Sequence, residues 1–456
     1  MTVTLHETEA HHDDRVEHTV TTVASVRMWG RTIGAVALED GSDTAVFQYD
    51  PAFARSGIQV SPLMMPLRAE PYAFPALPRE TFRGLPGLLA DSLPDRYGNA
   101  LIDTWLASEG RTPASFNAVE RLCYMGTRGM GALEFAPATG PGPSGISSDI
   151  HIDKLVALAS EVLTQRTELV ASLDDADKEE SLKDILRVGT SAGGARAKAV
   201  IAWNPTTHAV RSGQVDAGPG FEYWILKFDG VRGNRDRDLD RPQGFGVIEY
   251  AYANMARAAG ITMSECRLLE EHGRRHFMTR RFDRPGGSAK VHMQSLGALA
   301  HFDFNQAGAY SYEQSLLVIR QLGLTMEAIE QQFRRMAFNV IARNQDDHVK
   351  NIAFLMDQAG RWALSPAFDM TYSYSPGGLW TSQHQMSLNG KRDDFVLDDF
   401  RRCAETASMK RGRAEEIVGE VHDVVASWPN FAKEAGVAEW VTERIEAAQR
   451  LDLPRS

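Results

Sequence analysis

Asn344-Gln345-Asp346-Asp347-His348-Val349-Lys350-Asn351 is the stretch from which the rest of this chain is best read. Before it, Ile329, Phe333, Met336 and Val340 recur at spacings of four, three and four, one buried stripe of a helix ending near Arg343. After it, Phe354-Leu355 and Trp362 to Leu364 flank Asp357-Gln358-Ala359-Gly360, the pattern of a hairpin. So many polar groups in a row are costly in a core, so they are either solvated or gathered around a ligand. The segment alone fits both readings equally.

Asp369 tips the balance. It is an isolated carboxylate in Pro366-Ala367-Phe368-Asp369-Met370, at the end of the hairpin that begins at Asn351. A hairpin returns its end to its start, so Asp369 and Asn351 should be neighbours. Two carboxylates and a carboxamide make a hard, oxygen-rich site suited to Mg²⁺ with phosphate. Zinc would prefer histidine and cysteine, and only His348 is on offer. Protein kinases set a catalytic Asp five residues before a Mg²⁺-binding Asn, with a second Mg²⁺-binding Asp further on. Asp346 has that spacing to Asn351, whereas Asp347 is one residue too close.

Upstream, Gly189-Thr190-Ser191-Ala192-Gly193-Gly194-Ala195-Arg196-Ala197-Lys198 lies between two strand-like pieces, Ile185 to Val188 and Ala199 to Trp203. Gly193-Gly194 can aim backbone N–H groups at phosphate oxygens, and Arg196 and Lys198 add positive charge. The turn is neither a Walker loop nor a full G-x-G-x-x-G, and alone it reads as a mobile β-turn. Lys227 sits within the strand Tyr223 to Phe228, pointing either to solvent or, in a kinase lobe, at the α/β-phosphates. Glu249 opens the next helix, marked by Ile248, Ala251, Tyr252, Met255 and Ala259 and stopped by Gly260; it reads as a surface residue more readily than as the partner of Lys227. A glycine turn, a strand lysine, D-x-x-x-x-N and a final Asp stand in kinase order, and the ordered set is far more specific than any member.

The chain resembles the HipA family of serine/threonine kinases, toxins of bacterial toxin–antitoxin pairs. The resemblance runs from about Ala24 almost to the C-terminus. It rests on Ser191 to Lys198, Ile225-Leu226-Lys227-Phe228, Arg281-Phe282-Asp283-Arg284, Asp346 to Asn351 and Pro366 to Asp369, with Leu93-Pro94-Asp95-Arg96-Tyr97-Gly98 and Ser387 to Lys391 in support. It implies an α+β, two-lobed protein-kinase-like fold: a mixed N-terminal lobe with an added small β-rich subdomain, and a mainly helical C-terminal lobe. Asp346 matches the catalytic Asp, and Asn351 and Asp369 match the Mg²⁺ ligands. Lys227 matches the phosphate-contacting Lys, and Gly193, Gly194, Ala195, Arg196, Ala197 and Lys198 the turn over the phosphates. Arg280, Arg281 and Phe282 match the strand that holds adenine, mostly through backbone groups. His348 and Lys350 match residues lining the ATP cleft, and Ser191 matches a serine phosphorylated by the enzyme itself to switch it off. The implied partners are a helix-turn-helix HipB-like antitoxin, DNA only through that antitoxin, and a protein substrate in the translation machinery such as an aminoacyl-tRNA synthetase.

Composition agrees with an ordinary globular protein: 456 residues, 43% apolar, 24% charged. That length suggests two or three packed substructures. The expected division is a flexible tail over 1–20, a β-rich subdomain over 21–135, a Gly/Pro/Ser linker over 136–149, a nucleotide-binding lobe over 150–284 and a helical lobe over 285–456. Ala24 to Tyr49 reads as a three-stranded meander with turns at Gly30 and Asp40-Gly41. No apolar run approaches the ~18 residues that span a bilayer, so no integral membrane protein is expected. The three cysteines, Cys123, Cys266 and Cys403, form neither a disulfide framework nor a CxxC site, and a reducing cytoplasm is the expected home. A net charge of −11 argues against coating nucleic acid unaided. Two other readings stand beside the kinase: a metal-dependent phosphohydrolase built on Asp346, Asp347, His348 and Asp369, and a catalytically idle co-repressor that only binds an antitoxin, against which intact Asp346, Asn351, Asp369 and Lys227 argue.

Overall fold

A computed structural model describes residues 22–139, 150–164, 184–186, 188–189, 196–214, 216–231, 244–286 and 289–453. The chain first lays down an antiparallel meander, β1 (Val23–Met28), β2 (Arg31–Ala37) and β3 (Val46–Tyr49). Trp29 and Gly30 both take positive φ, 51° and 76°, which closes the tight turn between β1 and β2. A fourth strand, β4 (Leu133–Ala136), arrives much later and pairs with β1, giving the order β3-β2-β1-β4. Between β3 and β4 the chain forms α1 (Arg96–Ser108) and α2 (Ala118–Met125). Alternating Val26, Met28, Ile33, Val36 and Phe47 face one core with Leu85, Leu88 and Leu122.

The second sheet has five antiparallel strands in the order β6-β5-β7-β9-β8. These are β5 (Lys198–Trp203), β6 (Val210–Ser212), β7 (Glu222–Lys227), β8 (Cys266–Glu271) and β9 (Arg274–Arg280). α3 (Ile152–Thr164) shares the core behind this sheet, and Tyr97 and Leu101 of α1 reach into it. The run Ile185 to Val188, strand-like in sequence, differs: residues 184–186 and 188–189 are helical. A short apolar run suits a buried helix as well as a strand, and Ile185, Leu186 and Val188 bury against the α3 core. The glycine turn is therefore preceded by helix, not by a strand.

α4 (Phe245–Ala258) lies across β9. A Cβ on Gly246 would come within 2.7 Å of the Arg275 carbonyl oxygen, so only glycine allows this approach. The remaining lobe is mainly helical: α5 (Leu296–Ala300), α6 (Tyr312–Gln321), α7 (Met326–Ile341), α8 (Leu397–Thr406), α9 (Arg413–Val425), α10 (Trp428–Ala435) and α11 (Glu439–Ala448). The stripe Ile329, Phe333, Met336 and Val340 is buried in one core that also takes the inner face of α4. Ile417, Val421, Val424 and Trp428 recur at the same spacings of four, three and four and so read as one helical stripe, yet they do not lie on one helix. The stripe breaks at Ala426 and Ser427, because Pro429 cannot continue the helical hydrogen bonds and starts α10 instead. A small sheet, β10 (His292–Ser295), β11 (Ala353–Met356) and β12 (Trp362–Leu364), contains the expected hairpin, with Phe354 opposite Leu364.

The β-rich subdomain also grips the helical lobe. Asp91 accepts hydrogen bonds from the Ser295 N–H (2.7 Å) and hydroxyl (2.8 Å), at the start of α5. The Gly87 N–H donates to His301 Nε2 at 3.0 Å, and Trp362 Nε1 donates to the Gln59 carbonyl at 3.1 Å. No helix among the described residues is long and apolar enough to cross a membrane.

Candidate active site

Three elements converge on one charged cluster. Lys227 ends β7, Glu249 projects from the first turns of α4, and Asp369 follows β12. Lys227 Nζ donates to Glu249 Oε1 at 2.5 Å and also to Asp369 Oδ1. Glu249 is only 2% exposed, so the surface position expected for it is overturned. A lysine in a strand of Trp224, Ile225 and Leu226 needs a carboxylate when its head turns inward, and α4 supplies it. Burial alone would lower the Lys227 ammonium, but Asp369 and Glu249 outweigh it and raise its pKa. Burial likewise would raise the Asp369 carboxyl, yet Lys227 and Lys198 hold it at about 2. Asp369 takes a left-handed φ of 53°, a conformation Asp tolerates better than most residues, and it lines the cleft.

The loop after α7 separates two adjacent aspartates. Asp347 is 1% exposed and accepts from Tyr312 Oη (2.6 Å), His384 Nδ1 (2.7 Å) and the Gln385 N–H (2.7 Å). Burial would raise its pKa, but these donors lower it, so Asp347 is an ionised structural anchor. Asp346 has 43% of its side chain exposed, and its Oδ1 accepts from Trp380 Nε1 at 2.7 Å. Desolvation raises the Asp346 carboxyl against the opposing pull of His348 and Trp380. His348 Nε2 lies 3.9 Å from Asp346 Oδ1, and its Nδ1 accepts from the Lys350 N–H at 3.3 Å. Lys350 Nζ rests 4.9 Å from the centre of the Phe304 ring, beside His348.

Asn351 and Asp369 line one cleft together with His348, Phe368 and Met370, as the hairpin reading requires. The Asn351 Nδ2 donates to the Asp346 carbonyl at 2.8 Å, which commits the amide nitrogen to the loop and leaves the carboxamide oxygen as its remaining ligating atom. One carboxylate and one carboxamide oxygen suit Mg²⁺, which is held by few protein oxygens and completed by phosphate and water. No cluster of three His, Cys, Asp or Glu side chains that could cage a metal occurs among the described residues.

Of the expected phosphate-covering turn, Gly193, Gly194 and Ala195 lie outside the described residues, as does Ser191. Arg196 stacks its guanidinium 4.6 Å from the Phe245 ring centre, and Ala197 is fully buried. Lys198 pairs in register with Lys227 and is 2% exposed. Burial lowers its pKa while Asp95 and Asp369 oppose the shift. Asp95, from the N-terminal subdomain, thus belongs to the same electrostatic cluster, which sequence reasoning missed. Arg280 ends β9 and pairs with Glu222 and Glu265 at 3.5 and 3.4 Å. Arg281 is spent on Asp283 through two side-chain hydrogen bonds and its N–H donates to the Tyr223 carbonyl at 2.9 Å, which leaves its backbone carbonyl for a ligand. The Phe282 ring packs 5.8 Å from that of Phe368 at the cleft.

These features define a two-lobed, kinase-like α+β fold whose cleft carries a lysine–glutamate pair and a loop-borne aspartate. In sequence, the HipA N-terminal domain matches residues 24–136 and the HipA-like C-terminal domain matches residues 190–428. The chain belongs to the HipA family. A chain of the Shewanella oneidensis MR-1 toxin–antitoxin complex of HipA, HipB and operator DNA shares the fold, with a TM-score of 0.66 at 15% identity, over 93% of this chain and 96% of that one. The Helicobacter pylori proinflammatory kinase CtkA aligns with 49% of this chain and 92% of its own at 13% identity, with a TM-score of 0.30. Among curated proteins, none matches significantly in sequence.

Proposed function

We propose that this protein is an ATP- and Mg²⁺-dependent protein serine/threonine kinase, the toxin of a HipA/HipB-like pair. The observation that carries the reading is the Lys227 ammonium held between Glu249 and Asp369, with the half-buried Asp346 carboxylate on the loop whose Asn351 lines the cleft beside Asp369. In kinases that lysine–glutamate pair orients the nucleotide phosphates, and a loop Asp accepts the hydroxyl proton. Here Lys227 and Lys198 bind phosphate oxygens, Asp346 receives the acceptor's proton, and Asn351 and Asp369 hold the metal. Bound there, Mg²⁺ neutralises charge on the β- and γ-phosphates. Backbone groups of Arg280 to Phe282 hold the adenine, and His348 and Lys350 flank the same cleft.

The division into a β-rich subdomain (21–135), linker (136–149), nucleotide-binding lobe (150–284) and helical lobe (285–456) belongs to this proposal, as does a cytoplasmic setting. A helix-turn-helix HipB-like antitoxin, with DNA reached only through it, is supported by the solved complex in which HipA, HipB and operator DNA occur together. The substrate class proposed is a protein of the translation machinery. A phosphohydrolase is disfavoured because Asp347 is consumed by three internal hydrogen bonds.

Incubation of the pure protein with Mg²⁺ and ATP tests the reading by intact mass. A gain of one phosphate, mapped to Ser191 by tandem mass spectrometry and absent in Asp346→Asn, is the expected outcome. Phosphate on Ser191 would add nearly two negative charges to the phosphate-covering turn and oppose ATP. Transfer with Ser191 unmodified would refute self-inhibition at that serine while leaving the kinase; no transfer to the protein or to an added protein acceptor would refute the kinase.

A further inference from the structure

Trp380 is the one side chain, among the described residues, that donates a hydrogen bond to the Asp346 carboxylate. It sits in a closed turn, with the Ser375 N–H bonded to the Thr381 carbonyl at 3.2 Å and the Gly378 N–H to the Ser375 carbonyl at 2.9 Å. Leu379 at the tip is fully exposed, and the next residue points its indole inward. The Trp380 carbonyl accepts from Gln385 Nε2, whose own N–H donates to Asp347 Oδ1 at 2.7 Å. Asp346 and Asp347, neighbours in the chain, are thus tied to opposite ends of one short segment, 380–385. At the base of the turn, the Arg343 guanidinium lies 4.3 Å from the Tyr374 ring centre.

We propose that Trp380 is a positioning residue for phosphoryl transfer: its indole N–H fixes one oxygen of Asp346 so that the other faces the incoming hydroxyl. The inference rests on the kinase reading and adds to it a residue outside the lysine, the glutamate and the metal ligands. In the step, the acceptor oxygen bonds to the γ-phosphorus and the bond from that phosphorus to the β,γ-bridging oxygen breaks. The bond's electrons leave on ADP, and the hydroxyl proton passes to the unoccupied Asp346 oxygen. A carboxylate free to rotate would spend much of its time out of line, and displacement by about 1 Å can cost roughly a hundredfold. The turn that carries Trp380 therefore belongs to the acceptor side of the site, beside Asp346.

Trp380→Phe keeps the ring and removes the donor. Its rate of phosphoryl transfer, read by intact mass with Mg-ATP, should fall about ten- to a hundredfold. Its Mg-ATP affinity by calorimetry should stay within about twofold, because the indole N–H bonds Asp346 and not the lysines or metal ligands assigned to the nucleotide. In an Asp346→Ala background the same substitution should change nothing further, since a residue that acts only through Asp346 has no role once it is gone. A structural role would instead weaken ATP binding and slow both backgrounds alike. The second measurement is the set of ¹⁵N-indole resonances of the whole protein, in which one signal should shift in Asp346→Ala and be the one missing from Trp380→Phe. Should Trp380→Phe melt early, the Asp346→Ala shift alone carries the test. Full transfer by a folded Trp380→Phe, or unmoved indole signals in Asp346→Ala, overturns the inference. A wild type that binds Mg-ATP and transfers nothing sinks the kinase reading itself.

Discussion

Among the described residues, the charge cluster at the exit of β9 and the one in the cleft are built to different rules. At the β9 exit, Asp283 is fully buried between Arg281 and Arg284, each reaching it at 2.7 Å. The Gly131 N–H adds a further bond to the same carboxylate at 2.8 Å, and Arg284 donates to the Gly131 and Gly129 carbonyls. Every atom of that carboxylate is spent inside the protein, which locks the loop before β4 to the strand leaving the five-stranded sheet. In the cleft, Asp369 is 31% exposed and Asp346 43%, and side-chain donors reach only Oδ1 of each among the described residues. A cluster that closes on itself serves architecture; one that leaves charge facing a cleft is equipped for a ligand.

Breaking the open cluster at Asp346 should have the largest effect. Asp346→Asn is expected to lower phosphoryl transfer roughly 10²–10⁴-fold, the usual worth of a positioned base, with Mg-ATP affinity nearly unchanged by calorimetry. Breaking the closed cluster should be comparable in energy yet different in kind. Asp283→Asn strands two buried guanidinium groups and should cost about 3–5 kcal/mol of stability by denaturant unfolding, with the folded fraction still binding nucleotide. Burial alone would raise the Asp283 carboxyl, but Arg281 and Arg284 depress it to about 2. Its contribution is therefore complete above its unfolded pKa, near 4, and lost as pH falls through about 2. The stability gap between wild type and Asp283→Asn should close over that window and stay constant at higher pH.

Asp369→Ala should follow, weakening Mg²⁺-dependent ATP binding about tenfold or more because it removes the charged ligand. Asn351→Ala should act in the same direction and more weakly, since its oxygen is neutral. The smallest effect on rate belongs to Asp347→Asn. That change sets an amide where three donors converge, so it should cost about 1–3 kcal/mol of stability by thermal melting and little turnover per folded molecule. An inactive but stable Asp347→Asn beside an active Asp346→Asn would reverse the roles of the two aspartates.

Much of the fold was legible because periodicity reports burial. The α7 stripe, the hairpin from β11 to β12 and the first three strands all follow from alternation or helical spacing. β4 was not legible, since its four residues pair with a strand about a hundred residues earlier and carry no local signal of that partner. The helical segment around Ile185 was misread because a short apolar run fits two structures. At the site, the five-residue spacing from Asp346 to Asn351 separates the two aspartates as their hydrogen bonds do. Glu249 was misplaced because a glutamate's burial depends on a lysine in another element. Asp95 stood in a segment that supported the resemblance but carried no sign of a role at the cleft, and Trp380 left no signal at all, for each acts there through tertiary contacts.

The grip of the N-terminal subdomain on the helical lobe has a consequence for the order in which the chain becomes whole. Trp362 meets Gln59 across 303 residues, and Met356 completes the same apolar core as Val26 and Phe47. At about 5–20 residues per second, the first sheet waits on the order of 15 to 60 s on the ribosome for those partners. Throughout that interval its core is unfinished, and neither Asp346 nor Asp369 has yet been made into a cleft. The subdomain is thus translated well before the residues that seal it, so a chain truncated before Met356 would carry an open apolar face.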